Sequence, residues 1–217
     1  MKKIRESFKI AYEDIAIDSF MKRYHFEEKD RNLLDAACRF LTELIEVETG
    51  ILLEKDRAVC LVTLGKRYDE LSDMTAEAGH LLLSYSLECL GMEILSRAYE
   101  KINELVFHQS GKWLGEYYFL GDENIEDLAA CLSAFDGLSV TWEKGMLHPL
   151  KSVVFMAEYK EKKEDSGCHN CERCKNITCS FRNITENKQV QNTQTKTVDM
   201  KVYSYGISQI LGNGKKG

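Results

Sequence analysis

Cys168, Cys171, Cys174 and Cys179 fall within twelve consecutive positions, in the run "CHNCERCKNITCSFR". A Cys-x-x-Cys step lets two sulfurs converge on one ion from a single tight turn, and two such steps here share Cys171. Four thiolates complete a tetrahedral zinc site or anchor a cubane iron–sulfur cluster. Zinc ribbons separate their two knuckles by a longer loop, which this run lacks. Three cysteines at two-residue intervals match the first part of a bacterial ferredoxin run, although the fourth comes one residue late and no proline follows it. The spacing favours a 4Fe–4S cluster, with zinc as the alternative; the bland reading is a set of surface thiols with no joint role. Arg173, Lys175 and Arg182 would offset the charge of a thiolate-rich centre. His169, beside Cys168, reads as solvated. The remaining cysteines, Cys38, Cys60, Cys89 and Cys131, fall on apolar faces of predicted elements and read as core packing.

The elements that would position such a centre come from the rest of the 217 residues. Hydrophobic residues at 44% and charged residues at 29% describe a globular chain with material for a real core. A net charge of −6 argues against nucleic acid as a partner, because phosphate contact needs a concentrated positive surface. No apolar run approaches the ~20 residues that span a bilayer, so no membrane is expected. The opening "MKKIRESFKIAYEDIAIDSF" has no apolar leader, which predicts a cytoplasmic, reducing compartment and argues against disulfides.

Ile4, Phe8, Ala11 and Ile15 have the spacing of a helix face. "DRNLLDAACRFLTELIEVETG" is an amphipathic helix with Gly50 as its stop. "ILLEKDRAVCLVTLG" reads as two strands about a charged turn. A short helix near Tyr68–Met74 leads into "AEAGHLLLSYSLECLGMEILSRAYEKINELVF". That helix is apolar on more than one face in its first half, which predicts a place in the middle of the fold. "GEYYFLGD" is a strand, "ENIEDLAACLSAF" a helix and "LSVTW" a strand. "SVVFMAEY" is a strand after the loop "EKGMLHPLK". The absence of regular βαβ alternation predicts an α+β fold with a largely antiparallel sheet carrying long helices. From Lys160 the composition turns polar, with "VYSYGI" a possible edge strand. The expected organisation is an α+β body over 1–160, a cysteine-rich metal-binding appendage over 161–182 and a polar tail over 183–217.

Three stretches carry a resemblance when taken in order. They are "VCLVTLGKRYDELSDMTAEAGHLLLSYSLECLGMEILSRAYEKI", "YYFLGDENIEDLAACLSAF" and "LSVTWEKGMLHPLKSVVFMAEY", the last with the loop Met146-x-x-Pro149-x-Lys151-Ser152. Together, over residues 8–182, the chain resembles the activation domain of cobalamin-dependent methionine synthase. It is most similar to free-standing bacterial proteins built on that domain, some of which carry a cysteine-rich C-terminus. The resemblance implies a C-shaped α+β domain with a twisted antiparallel sheet. It implies S-adenosylmethionine binding, with Gly121, Asp122, Lys151 and Ser152 as cofactor-binding positions. It also implies docking on a cobalamin-binding methyltransferase protein, which supplies the cobalamin and whose oxidised cobalt is returned to methylcobalamin by an electron and a methyl group. An iron–sulfur cluster would be a local source of that electron.

The family's ligand loop carries Arg-x-x-Pro-Gly-Tyr. Aligned through Gly121-Asp122, its arginine position is Gly115 here and its Pro-Gly-Tyr positions are Tyr118, Phe119 and Leu120, with Lys112 the nearest cation. Each site residue also has a plainer reading. Asp122 suits a turn and an N-cap for the helix starting near Asn124. Lys151 and Ser152 suit a solvated loop, and Tyr117, Tyr118 and Phe119 suit sheet packing. His80 and His108 lie at helix ends. There is no nucleophile elbow, phosphate loop, HExxH or dinucleotide fingerprint.

Overall fold

The structure, a computed structural model, describes residues 2–121 and 124–163. The cysteine run 168–179, the "VYSYGI" segment and Asp122 lie outside the described residues.

Strands β1 (Lys2–Phe8), β2 (Val47–Leu53), β3 (Arg57–Thr63), β4 (Trp113–Phe119) and β7 (Ser152–Lys160) form one sheet. Its order is β1-β2-β3-β7-β4, and each neighbouring pair is antiparallel. Strands β5 (Thr141–Glu143) and β6 (Met146–His148) make a separate hairpin. The helices are α1 (Ile17–Arg23), α2 (Arg31–Leu44), α3 (Lys66–Glu77), α4 (Leu81–Ser110) and α5 (Ile125–Ala134). The chain is therefore α+β with an antiparallel sheet, as its sequence leads one to expect.

The sheet is covered on both faces, which explains the near-continuous apolar runs "GILL" and "AVCLV" in β2 and β3. On one face Ile51, Cys60, Val62 and Phe155 pack with Leu34, Leu41, Leu90, Ile94 and Ile102 of α2 and α4. On the other, Leu52, Val59, Leu61 and Val154 pack with Leu128 and Cys131 of α5, with Phe135 just after that helix, and with Val140 and Leu147 near the hairpin. Tyr99 ties α4 to the sheet, its ring 5.5 Å from that of Phe155 and 5.9 Å from that of Tyr117.

Four expectations need correction. The first segment is strand β1, not helix. Ile4 and Phe8 are four apart, an even spacing that puts them on one face of a strand as well as of a helix, and the open edge of β2 decides the matter through pairs running from Lys2↔Leu53 to Phe8↔Val47. Gly50 does not stop α2. That helix ends at Leu44 with Ile45 already extended, and Gly50 lies mid-strand in β2. It is glycine because a Cβ there would sit 2.6 Å from the Phe135 ring. Residues 76–77 belong to α3, and the chain breaks at Gly79, whose φ of 74° is left-handed. Met146 opens strand β6 instead of lying in a loop. Lys144 and Gly145, with φ of 52° and 81°, make the two-residue turn that joins β5 to β6.

The first half of α4 takes its expected central place from Ser86 to Leu95, but its first turn does not. Leu87, Cys89 and Leu90 are buried, but Leu81, Leu82, Tyr85 and Met92 are exposed, Leu81 by 78%. Glu88 meets Lys151, the residue just before β7, so the first two turns of α4 run past the end of the sheet. The helix is apolar on more than one face because its second apolar face projects beyond the strands.

Helix α4 is held to α3 by Tyr68, fully buried, whose hydroxyl donates to the Leu87 carbonyl at 2.7 Å. Gly91 makes room for this ring, since a Cβ would lie 2.4 Å from the Tyr68 oxygen. Alanine would gain about 1 kcal/mol in helix propensity. The clash with an immobile ring outweighs it. Gly91→Ala is expected to lower unfolding free energy in urea by about 1–3 kcal/mol, and an unchanged midpoint would contradict this packing.

Candidate functional site

Where α4 overruns the sheet, the ends of β3 and β4, the start of β7 and the first turns of α3 and α4 meet. The local sequence dictates this corner. Thr63 ends β3 opposite Ser152, the first residue of β7. Gly65, with φ of 76°, then turns the chain into α3. Hairpin β5–β6 and the buried Pro149 bring the other side of the corner back to the sheet.

A chain of polar contacts fixes it. The Ser152 hydroxyl donates to Thr63 Oγ1 at 2.7 Å, and the Gly65 N–H donates to the same oxygen at 3.0 Å. The Leu64 N–H donates to the Lys151 carbonyl at 3.0 Å. Asp69, in the first turn of α3, accepts from the Leu150 N–H at 2.7 Å. Lys151 Nζ meets Glu88 Oε2 at 2.5 Å, with 15% of the lysine side chain exposed and 50% of the glutamate. Burial raises the Asp69 pKa above the ordinary carboxylate value, against the lowering effect of the Leu150 and Lys151 backbone N–H groups and of His148.

The predicted cofactor-binding residues thus behave differently from one another. Lys151 and Ser152 are adjacent in this corner, but both are engaged. The serine hydroxyl is buried against Thr63 and the lysine charge is matched by Glu88. Gly121 is half-buried in the bend after β4, where a Cβ would meet nothing within 4 Å. Asp122 falls outside the described residues, and the N-cap position of α5 is taken by Asn124. Tyr117 is buried as sheet packing, whereas Tyr118 and Phe119 are 41% and 45% exposed at the end of the edge strand. Gly115, at the position of the family's arginine, is buried. A Cβ there would lie 2.9 Å from Lys160 Cε and 3.1 Å from the Glu158 carbonyl. Lys112 pairs with Glu161 at 3.7 Å.

Leu150 (55%) and Met146 (52%) are exposed on the hairpin and its exit, while Leu81, Tyr85, Glu88 and Met92 lie along one ridge of α4 by their three- and four-residue spacing. The corner therefore presents apolar side chains around a neutralised ion pair, a composition suited to a protein surface.

The predicted metal ligands Cys168, Cys171, Cys174 and Cys179 lie outside the described residues. Among the described residues no cluster of three or more His, Cys, Asp or Glu is placed to hold a metal. The other four cysteines are buried, as expected from their apolar faces. Burial pushes the Cys38 and Cys131 thiols up to about 12 and also raises those of Cys60 and Cys89. His80 occupies the N-cap position of α4 and His108 its last turn. No helix among the described residues is long and apolar enough to cross a membrane.

Sequence reasoning missed an open cleft of about 550 Å³ between the 12–18 segment and α2. Asp18, Arg31 and Asp35 in its lining are paired. Arg31 meets Asp18 at 2.8 Å and Glu28 at 2.5 Å, and Asp35 accepts from the Tyr12 hydroxyl while pairing with Arg39 at 3.0 Å. The Tyr12 hydrogen bond and then Arg39 hold the Asp35 pKa below the ordinary value. The signal was the four-residue spacing Arg31, Asp35, Arg39 on α2, which is also that of an ordinary solvated helix face.

No family model matches the chain, and no curated protein is similar to it.

Two substitutions separate scaffold from surface. Ser152→Ala is expected to cost about 1 kcal/mol of stability by removing one of the two donors to Thr63 Oγ1, the Gly65 N–H remaining. Gly121→Ala is expected to stay within about 0.5 kcal/mol of the parent. Denaturant unfolding reads both, and a reversed order would contradict the geometry.

Proposed function

We propose that this chain is an accessory protein of corrinoid metabolism. It docks on a cobalamin-binding methyltransferase protein and supports the reduction that returns the cobalt to its active state. The observation that carries the reading is the segment Met146–Ser152. Its polar residues are fixed inward by Asp69, Glu88 and Thr63, while Met146 and Leu150 are exposed. This is also the segment on which the resemblance to the methionine synthase activation domain rests. The antiparallel α+β body is compatible with the α+β class of that domain.

The donor set Cys168, Cys171, Cys174 and Cys179 suits a 4Fe–4S cluster, with zinc as the alternative. When bound, such a cluster supplies single electrons. In this reading the chain's own residues supply the docking face and the thiolates, and the partner supplies the cobalamin.

S-adenosylmethionine does not fit the residues present. Its carboxylate calls for a cation in the place of the family's arginine, but that position is Gly115, which has no side chain, and Lys151 is already matched by Glu88. That observation favours a second reading, an iron–sulfur electron-transfer protein whose former ligand pocket is lost. In a third the cysteines bind zinc and staple an interaction module.

The test is a titration of the anaerobically purified chain onto the cobalamin-binding part of a methionine synthase, beside the variant Leu150→Asp. Saturable binding that weakens at least about tenfold in the variant, roughly 1.4 kcal/mol, is expected for a contact at the centre of an interface. Absence of binding to corrinoid proteins by the parent chain would overturn the reading. Calorimetry with S-adenosylmethionine alone is expected to show no heat of binding.

A further inference from the structure

The segment Pro149–Lys151 is short, polar in its backbone and carries the exposed Leu150, so something must hold it still. Part of the answer lies outside the segment. Asp69 reaches across from α3, and its Oδ2 accepts the Leu150 N–H at 2.7 Å, joining residues 81 positions apart. The Lys151 N–H faces the same carboxylate. The Leu64 N–H bond to the Lys151 carbonyl at 3.0 Å fixes the next peptide, and Lys151 Nζ then meets Glu88 on α4. Asp69 begins a chain of contacts that links α3, the segment and α4.

We propose that Asp69 is the positioning residue of the docking segment: through the Leu150 N–H it turns the Leu150 side chain outward and seats Lys151 against Glu88. This rests on the reading that Met146–Ser152 meets a partner. Asp69 itself makes no part of that contact. The other charged groups around it are Asp73 on its own helix, His148 on β6 and the Lys151–Glu88 pair on the facing side.

Burial of the carboxylate has a consequence that separates positioning from charge. The folded state raises the Asp69 pKa, so it favours the protonated form, and the group's contribution to stability declines as pH rises through that raised pKa. A neutral acceptor of the same shape keeps the bond to Leu150 without the desolvation cost. Asp69→Asn therefore keeps an acceptor for the Leu150 N–H, although its amide NH2 takes the place of Oδ1, which is buried with no hydrogen-bond partner among the described residues, so the segment is preserved at some cost in stability. Asp69→Ala removes the acceptor altogether.

The experiment uses the full chain and its Asp69→Ala, Asp69→Ser and Asp69→Asn variants, the serine variant serving if alanine unfolds. Hydrogen exchange at the Leu150 and Lys151 amides is read in the free protein, and binding to a methionine synthase cobalamin domain is read separately. The expected result is exchange at Leu150 faster by at least about tenfold in Ala or Ser, since a bond to a charged group is lost. Binding weakens in parallel, and Asn restores both. Unchanged exchange in Ala and Ser would overturn the positioning role. Exchange that rises and is rescued, with no binding by the parent chain, would leave the positioning role standing and remove the docking reading instead.

Discussion

Strand β7 is the member on which the rest of the structure depends. It runs between β3 and β4 and is paired along most of its length with both, so the sheet exists as one body only because this last strand inserts into it. Val154, Phe155 and Ala157 are buried, Phe155 toward α4 and Val154 toward α5, so the strand ties together the two cores on either side of the sheet. Its first residue, Ser152, is also where the sheet's hydrogen bonding passes into the polar contacts of the corner. The register Thr63↔Ser152 thus fixes where the chain before β7 meets the sheet. A slip by one residue would turn Val154 and Phe155 to the wrong faces, and the two cores forbid it.

The same constraint explains why α4 is long. The helix lies against β4, β2 and β3, with Asn103 Oδ1 accepting the Leu114 N–H at 2.8 Å in place of a strand neighbour. From Leu81 to Leu87 there is no strand left to cover it. Glu93, almost fully buried, keeps this end anchored through Arg23 at 2.5 Å and Arg97 at 3.2 Å, so α1 supports the helix from the other side. Tyr85 of this helix packs on Phe26, while Leu81 stays exposed, and the pinned Leu150 is exposed too, an arrangement that would favour a preformed interface over one that must order on binding.

Much of this was legible in the sequence. The apolar run of β3, the β-branched run of β7 and the periodicity of α2 are local signals, and each gave the right element. Where local signals tied, tertiary structure decided. Ile4 and Phe8 fit two periods at once, and only the open edge of β2 distinguishes them. Gly50 reads as a helix stop until Phe135, 85 positions away, is placed above it. At the site, types and order marked Lys151 and Ser152. Their engagement by Glu88 and Thr63 was not visible, because both partners come from distant elements. Asp69 carried no signal at all, being one acid among several on a polar helix.

The central claim is that the chain delivers electrons to a corrinoid protein through a centre built on Cys168, Cys171, Cys174 and Cys179. The most direct measurement purifies the chain without oxygen, assays its iron and sulfide, reduces it, and mixes it with a cobalamin-binding protein held in the oxidised cob(II)alamin state while the corrinoid spectrum is followed. The account predicts a brown protein with about four irons and four sulfides and a loss of the cob(II)alamin spectrum that the Cys171→Ser variant does not produce. A colourless zinc protein, or a spectrum unchanged by the reduced chain, would contradict it.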